Sequence, residues 1–384
     1  MVSSKTYYIE TYGCQANESD SQKLSALLEN LGFESAENYQ NSDIFIINSC
    51  SVRQKSEDKV YGLARTLGKD DTGNSTSKPF TILTGCMVGS VKGERQRYSF
   101  SELQKRTPWV DLYLSPEETL LLPNFLVGAG VLSREDALIS KEAPVISKKG
   151  YINISYGCDN FCSYCVVPYA RGKEISRSQD EIFSEIEELL NKGITEITLL
   201  GQNVNSWGLS GDEKKKIRVG DESKLPFAQL LRDIHGIEQV SKISFLSSNP
   251  FDFSQDLVDT MGLPKIDNYL HIAVQSGNND ILTRMNRRHT VEEFIGLIDK
   301  IKKVKPNLEL GTDIIVGFPG ETEDQFMDTV KLFQTIKFNV AFISIYSPRK
   351  GTFADKHYKD DISLEEKRRR HSYLSKIWKA TLKE

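Results

Sequence analysis

Tyr151-Ile-Asn-Ile-Ser-Tyr-Gly-Cys158-Asp-Asn-Phe-Cys162-Ser-Tyr-Cys165 reads as a strand, Tyr151–Ser155, that runs straight into a loop carrying three cysteines. The spacing of three and then two residues lets one tight loop wrap three thiolates around a single inorganic cube. Tetrahedral zinc wants four closed ligands, whereas a four-iron cluster held by three thiolates keeps one iron open for chemistry. A zinc knuckle short of one ligand, or three ordinary core cysteines, would fit the composition equally well. The position argues against both, because ligand loops gather at the carboxyl ends of strands and packing cysteines do not.

Downstream, a strand–helix alternation follows this loop. Strands are expected at Glu196–Leu200, Lys242–Leu246, Tyr269–Val274, Glu309–Val316 and Val340–Tyr346, with helical patterns between them. In one helix Ile182, Phe183, Ile186, Leu189 and Leu190 form a stripe behind a Ser178-x-x-Glu181 capping box, and Gly193 ends it. Six βα units point to an incomplete β/α barrel, a partial (β/α)6 relative of the TIM barrel, which works at the carboxyl ends of its strands. Gly208–Lys224, with Lys214, Lys215 and Lys216, reads as a solvated excursion. A last helix opens on Ser363-x-x-Glu366, runs to Glu384 and is expected to bury Tyr373, Leu374, Ile377, Trp378 and Leu382.

Upstream of the opening stretch lies a second α/β pattern. Thr6–Tyr12, Asp43–Asn48 and Pro79–Thr84 read as strands, and Ser19–Leu31 and Gln54–Leu67 as helices, the rhythm of a Rossmann- or flavodoxin-like parallel sheet. Cys14, Cys50 and Cys86 are thirty-six positions apart, and each falls just beyond the carboxyl end of a strand. Ligands bind along that edge of open α/β sheets, so three cysteines distant in sequence can converge there. The expected organisation is an N-terminal domain at 1–130, a linker at 131–149, the barrel at 150–360 and a C-terminal helix at 361–384, with Lys69–Lys78 a polar loop.

A formal net charge of -4 does not advertise a nucleic-acid binder, and 39% hydrophobic with 27% charged residues is ordinary for a globular chain. No apolar run approaches the ~18 residues of a membrane helix. With no signal peptide in Met1-Val-Ser-Ser-Lys, a cytoplasmic address is expected, where free thiols serve metals or catalysis.

Cys-x3-Cys-x2-Cys with Tyr164 before the last cysteine resembles the signature of the radical S-adenosylmethionine (SAM) superfamily. The wider Tyr156-Gly-Cys-Asp-Asn-Phe-Cys-Ser-Tyr-Cys-Val-Val-Pro-Tyr-Ala-Arg-Gly172 resembles its methylthiotransferases. So do Thr11-Tyr-Gly-Cys14-Gln-Ala-Asn17, Asn48-Ser-Cys50-Ser-Val-Arg53, Thr84-Gly-Cys86-Met, Gln275-Ser-Gly277, Met285-Asn-Arg-Arg288 and Asp313-Ile-Ile-Val-Gly-Phe-Pro-Gly-Glu-Thr322. Leu199-Leu-Gly-Gln-Asn-Val-Asn-Ser206 looks most like the branch acting on N6-dimethylallyladenosine in tRNA, ahead of branches acting on threonylcarbamoyl-adenosine or a ribosomal-protein aspartate. The resemblance implies an auxiliary [4Fe-4S] cluster on Cys14, Cys50 and Cys86 and a radical-generating one on Cys158, Cys162 and Cys165. It also implies SAM as cosubstrate, a tRNA anticodon stem-loop as partner, a flavodoxin- or ferredoxin-type reductant and a sulfur donor.

It further implies SAM contacts at Tyr164 and Gln202, at Gln275 and Ser276 for the ribose, and at Gly317 and Pro319 for the adenine; plain turns and loop starts are the alternatives. Arg284, Arg287, Arg288 and the basic run Lys367–Arg370 read as solvated faces, with phosphate or carboxylate partners the minority reading. His271 and His289 read as structural, and Gln15, Asn17 and Asn48 as supports of the cysteines or as turn residues. Two departures from the resemblance stand out. No strand-rich segment follows the last helix, so a C-terminal TRAM β-barrel is expected to be absent, and Ser247-Ser-Asn-Pro250 lacks a histidine before its proline. From another class altogether, a non-catalytic metal-containing RNA-binding module would share the cysteines.

Overall fold

The computed structural model describes residues 5–52, 54–67, 78–133 and 149–382. Arg53, most of the polar loop and of the 131–149 linker, and Glu384 lie outside them. The chain divides into two compact units, Met1–Ile146 with Val166–Lys173, and Ser147–Cys165 with Glu174–Glu384.

The first unit is a parallel sheet of β1 (Thr6–Tyr12), β2 (Glu34–Ser35), β3 (Ile44–Ser49), β4 (Phe80–Thr84) and β5 (Leu112–Leu114), in the order β2-β1-β3-β4-β5. β3 sits in the middle and is buried along its whole length. Ile44 and Ile46 join the core on one face, and Phe45 and Ile47 the core on the other. A strand covered on both faces needs this unbroken apolar run rather than alternation, and each such side chain contributes roughly 1.5–3 kcal/mol by leaving water. The short β2 and β5 escaped the sequence reading. The helix expected from Ser19 begins at Gln15 because Cys14, in extended conformation, serves as its N-cap, and the expected Gln54–Leu67 helix is broken at Leu63.

In the second unit six parallel strands follow one another in chain order. β6 (Lys149–Asn153), β9 (Glu196–Leu200) and β10 (Lys242–Phe245) form one run; β11 (Tyr269–His271), β12 (Glu309–Val316) and β13 (Val340–Ile345) form another. Bridges from Ile243 to Ile266 and from Ser248 to Ile272 join the two. Among the described residues β13 pairs only with β12, so the ring is open, as an incomplete barrel requires. Between β6 and β9 lies an antiparallel ribbon, β7 (Ser155–Tyr156) with β8 (Ile175–Ser176), which the sequence did not announce. The Gln179–Asn191 helix forms behind the Ser178 cap and buries Ile182 and Ile186, as its periodicity predicts.

Three surface expectations fail. Within the supposed loop, Ser210 caps a short helix, Gly211–Lys216, which turns Lys214 inward onto Glu174 at 2.6 Å and leaves it 7% exposed. On the last helix, Leu364–Thr381, Tyr373 and Leu382 are exposed; the buried positions are Lys367, Arg370 and Leu374. Arg287 is buried too. These charges are inside because each meets an opposite charge or a row of acceptors, the condition for burying a cation.

Candidate functional site

In the first unit Cys14, Cys50 and Cys86 end β1, β3 and β4 and form one set, with the thiol of Cys50 next to those of both others. Their surroundings come from side chains next to each cysteine. Asn17 donates to Asn48 Oδ1 at 2.9 Å, and Asn48 Nδ2 returns bonds to Asn17 O at 2.8 Å and Ser21 Oγ at 2.9 Å. Both amides are buried, so they are clamps between the cysteine turns, whereas Gln15 is exposed. Glycines precede two of the cysteines for a steric reason. A Cβ on Gly85, at φ +89°, would stand 2.3 Å from Asn48 Oδ1, and one on Gly13 equally close to Asn17 Oδ1.

The amide of Val52 donates to Cys50 Sγ at 3.3 Å. Beneath that loop Ser51, Glu57 and Arg97 form a buried triad, with Arg97 Nη2 2.7 Å from Ser51 Oγ and 3.3 Å from Glu57 Oε1. Arg171, from the segment that follows Cys165, donates Nε–H to Cys86 Sγ at 3.1 Å. The Cys50 thiol, and behind it the Arg171 charge, draws the Cys14 and Cys86 thiols below the usual thiol range. The neighbouring Cys14 and Cys86 thiols, and then burial, push the Cys50 thiol far up. Among the described residues no three His, Cys, Asp or Glu side chains form a ready-made site for a single ion. Three convergent soft thiols nevertheless suit an iron–sulfur cluster.

In the second unit the loop of Cys158, Cys162 and Cys165 leaves the β7–β8 ribbon and is held from several sides. Asp159 N donates to Glu174 Oε2 at 3.1 Å, and Cys165 N closes a turn on Cys162 O at 2.9 Å. Met285-Asn-Arg-Arg288 supplies much of the rest. Met285 O accepts from Ser163 N at 3.0 Å, and Asn286 Nδ2 donates to Phe161 O at 3.0 Å and Asn160 O at 3.2 Å. Arg287 Nη1 donates to Cys162 Sγ at 3.5 Å while Nη2 holds Ala273 O at 2.6 Å. Phe161 takes a φ of +48° to let the chain turn between Cys158 and Cys162. Burial pushes the Cys158 thiol up, with Lys214 pulling the other way. One permanently charged guanidinium on Cys162 and a lysine beside Cys158 are a fitting environment for an anionic thiolate cluster.

Of the expected SAM contacts, Tyr164 and the Gly317–Gly320 turn come together: Tyr164 packs against the cluster of Ile281, Met285, Phe318, Tyr346 and Ala354. Gly317 and Gly320 have φ of +70° and +72°, and Pro319 is buried between them. Gln275, at φ +75°, continues the ladder past β11 by bonding Asp313 O at 2.9 Å. The Ser276 hydroxyl accepts from Asn278 N at 3.2 Å and serves its own turn. Gln202 stands at the end of β9, three strands from β12. Beside it sequence reasoning missed a buried network: Asn203 Nδ2 and Arg288 Nη2 both lie 2.6 Å from the Asp252 carboxylate, and Asn249 Nδ2 is 2.9 Å from Asn203 Oδ1. Asn249, in the stretch that lacks the expected histidine, thus has an amide role. Burial pushes Asp252 up against the pull of Arg288 and Lys214. The repeated amides of Asn203-Val-Asn205 were the available signal. His271 pairs with Asp313 at 2.7 Å.

The profile of the Radical SAM superfamily matches residues 152–333, and that of Uncharacterized protein family UPF0004 matches residues 6–115. A tRNA-2-methylthio-N(6)-dimethylallyladenosine synthase of Clostridium botulinum (strain Langeland) is 38% identical over 97% of this chain and 81% of that protein. One from Clostridium tetani is 40% identical over 90% of this chain and 75% of its own length. Among solved structures the radical SAM methyltransferase TsrM from Kitasatospora setae, with cobalamin and a [4Fe-4S] cluster bound, superposes with a TM-score of 0.58 at 14% identity, covering 92% of this chain and 74% of that one. That likeness is one of fold alone. Radical SAM enzymes use a [4Fe-4S] cluster and SAM, which the thiols described above suit. The chain is a transferase that belongs to the family of the tRNA-2-methylthio-N6-dimethylallyladenosine synthases, within the radical SAM superfamily.

Proposed function

We propose that the protein adds a methylthio group to carbon 2 of N6-dimethylallyladenosine at position 37 of tRNA, using one iron–sulfur cluster on each cysteine triad and two molecules of SAM. The observation that carries this reading is the gathering of Cys14, Cys50 and Cys86 into one set at the strand ends of the first unit, in addition to the Cys158–Cys165 loop of the second. A radical SAM enzyme needs only the second triad; group transfer of sulfur gives the first a purpose. When bound, the clusters supply the electron that cleaves SAM and a place to hold the incoming sulfur.

The residues do the rest. Arg287, Asn286 and Ser163 fix the radical-triad loop. Tyr164 and the Gly317–Pro319 turn take the adenine of SAM, Gln275 and Ser276 take its ribose, and Gln202 lies at the same strand-end face. An adenine C2–H bond is too inert for acid–base chemistry and calls for a radical. The working partners in this proposal are the anticodon stem-loop, a flavodoxin- or ferredoxin-type reductant and a sulfur donor, in the cytoplasm. No helix of the described residues is long and apolar enough to cross a membrane.

Nucleoside mass spectrometry of tRNA from a strain lacking the gene tests the proposal. N6-dimethylallyladenosine should accumulate without its methylthio derivative, and a plasmid copy should restore it. Unchanged methylthio content would reject the reading; loss of the threonylcarbamoyl derivative, or an unmodified ribosomal-protein aspartate, would move the substrate to another branch.

A further inference from the structure

We propose that Arg171 is a positioning residue for the cluster on the first triad, holding Cys86 through a charged N–H···S bond and raising the cluster's reduction potential. The proposal rests on the reading of Cys14, Cys50 and Cys86 as cluster ligands. Arg171 Nε stands 3.1 Å from Cys86 Sγ, and Arg171 Nη2 forms an ion pair of 2.7 Å with Asp20. The arginine side chain is 8% exposed. Asp20 lies on the Gln15–Asn30 helix that Cys14 caps, so one guanidinium ties the Cys86 sulfur to the helix begun by Cys14.

The backbone is shaped to bring it there. Arg171 ends a single turn, Val167–Ala170, lying against the Cys86–Lys92 helix. A Cβ on Gly89 would stand 2.1 Å from Ala170 O, so only glycine at that position allows the approach. Burial disfavours a charged guanidinium here, but Cys86 and Asp20 outweigh it. Among the described residues no such donor is seen at Cys14 or Cys50: Cys50 Sγ accepts a backbone amide at 3.3 Å, and Cys14 Sγ faces Asn17 Oδ1 at 3.6 Å.

Hydrogen bonds to cluster sulfurs and nearby positive charge withdraw electron density and favour the reduced cluster, a principal means by which proteins set its potential. The position in sequence adds meaning. Arg171 is six residues beyond Cys165, so the strand of chain leaving one triad supplies the charged bond to the other. A plain buried ion pair would need the aspartate but not the sulfur.

The test uses the full chain with Cys158, Cys162 and Cys165 changed to alanine, reconstituted so that only the first triad binds iron. Midpoint potentials are read by redox titration followed by electron paramagnetic resonance, for this parent and with Arg171→Gln, Arg171→Lys or Asp20→Asn added. Arg171→Gln should lower the potential, or lose iron while the melting temperature is retained, and Arg171→Lys should recover part of the shift without the Nε geometry. An unchanged potential at full iron content in Arg171→Gln would overturn the proposal. If Arg171→Gln fails to fold, Arg171→Lys decides: a lowered potential upholds the role, and an unchanged one rejects it. A parent that binds no iron would sink the reading of the triad itself, and the proposal with it.

Discussion

Arg370 closes an ion pair of 2.9 Å on Glu321, and both side chains are almost wholly buried. The Glu321 carboxylate also accepts from Gly317 N at 2.7 Å, and Arg370 Nη1 holds Glu321 O at 2.8 Å. Lys367 of the same helix lies over Gly317, where a Cβ would stand 2.4 Å from Lys367 Cγ. The last helix thereby clasps the turn proposed to take the adenine of SAM. Removing Arg370 leaves an uncompensated buried carboxylate, which costs about 3–5 kcal/mol. Arg370→Ala should lower the melting temperature by several degrees and raise the KM for SAM more than it lowers kcat. A melt within a degree of wild type would refute it.

Cys50→Ala should spare reductive cleavage of SAM to 5′-deoxyadenosine yet yield no methylthio product, because the radical triad is complete without it. Chromatographic assay of both products checks this; normal product would take the first triad out of the reaction.

Cys162→Ala should leave iron on the first triad, since Cys14, Cys50 and Cys86 belong to a different compact unit. Iron should fall from about eight to about four per chain, with SAM cleavage lost. A fall to zero would mean the triads are not independent.

Gly85→Ala should damage the first triad while sparing the second. Its φ of +89° is strained for alanine, and the added Cβ would meet Asn48 Oδ1 at 2.3 Å and Ser49 O at 2.7 Å. Sub-stoichiometric iron with undiminished SAM cleavage is the expected phenotype; full iron content would disprove the steric argument.

Glu366 is held at about 2 by Arg369 first and by Arg370 as well. A carboxylate depressed in the folded state adds stability above its unfolded pKa and loses it as pH falls through the folded one. The benefit of Glu366 should therefore be complete at neutral pH and vanish between about pH 4.5 and pH 2. The Glu366 side chain keeps 31% of its surface in water, which screens the pair, so the loss on Glu366→Gln at neutral pH should stay near 1 kcal/mol or less. Denaturant melts of both proteins across that range should converge at the acid end.

Much of this molecule was legible in its residues because its signals are local. The run Ile44–Ile47 announces a strand covered on both faces, Ser178 and Glu181 a helix start, and Cys158–Cys165 a loop that carries three thiols, each within a few neighbouring positions. Even the meeting of the distant Cys14, Cys50 and Cys86 at one edge could be expected, since every strand of a parallel sheet ends at the same edge. The fates of the charges could not be read this way. Lys214, Arg287, Lys367 and Arg370 carry the composition of a solvated face, and they are buried only because Glu174, Cys162 and Glu321, remote in sequence, and Asp360, from the loop before the last helix, arrive opposite them. Whether a cation goes inside depends on finding a partner that repays its lost hydration, and only the folded chain brings that partner within reach.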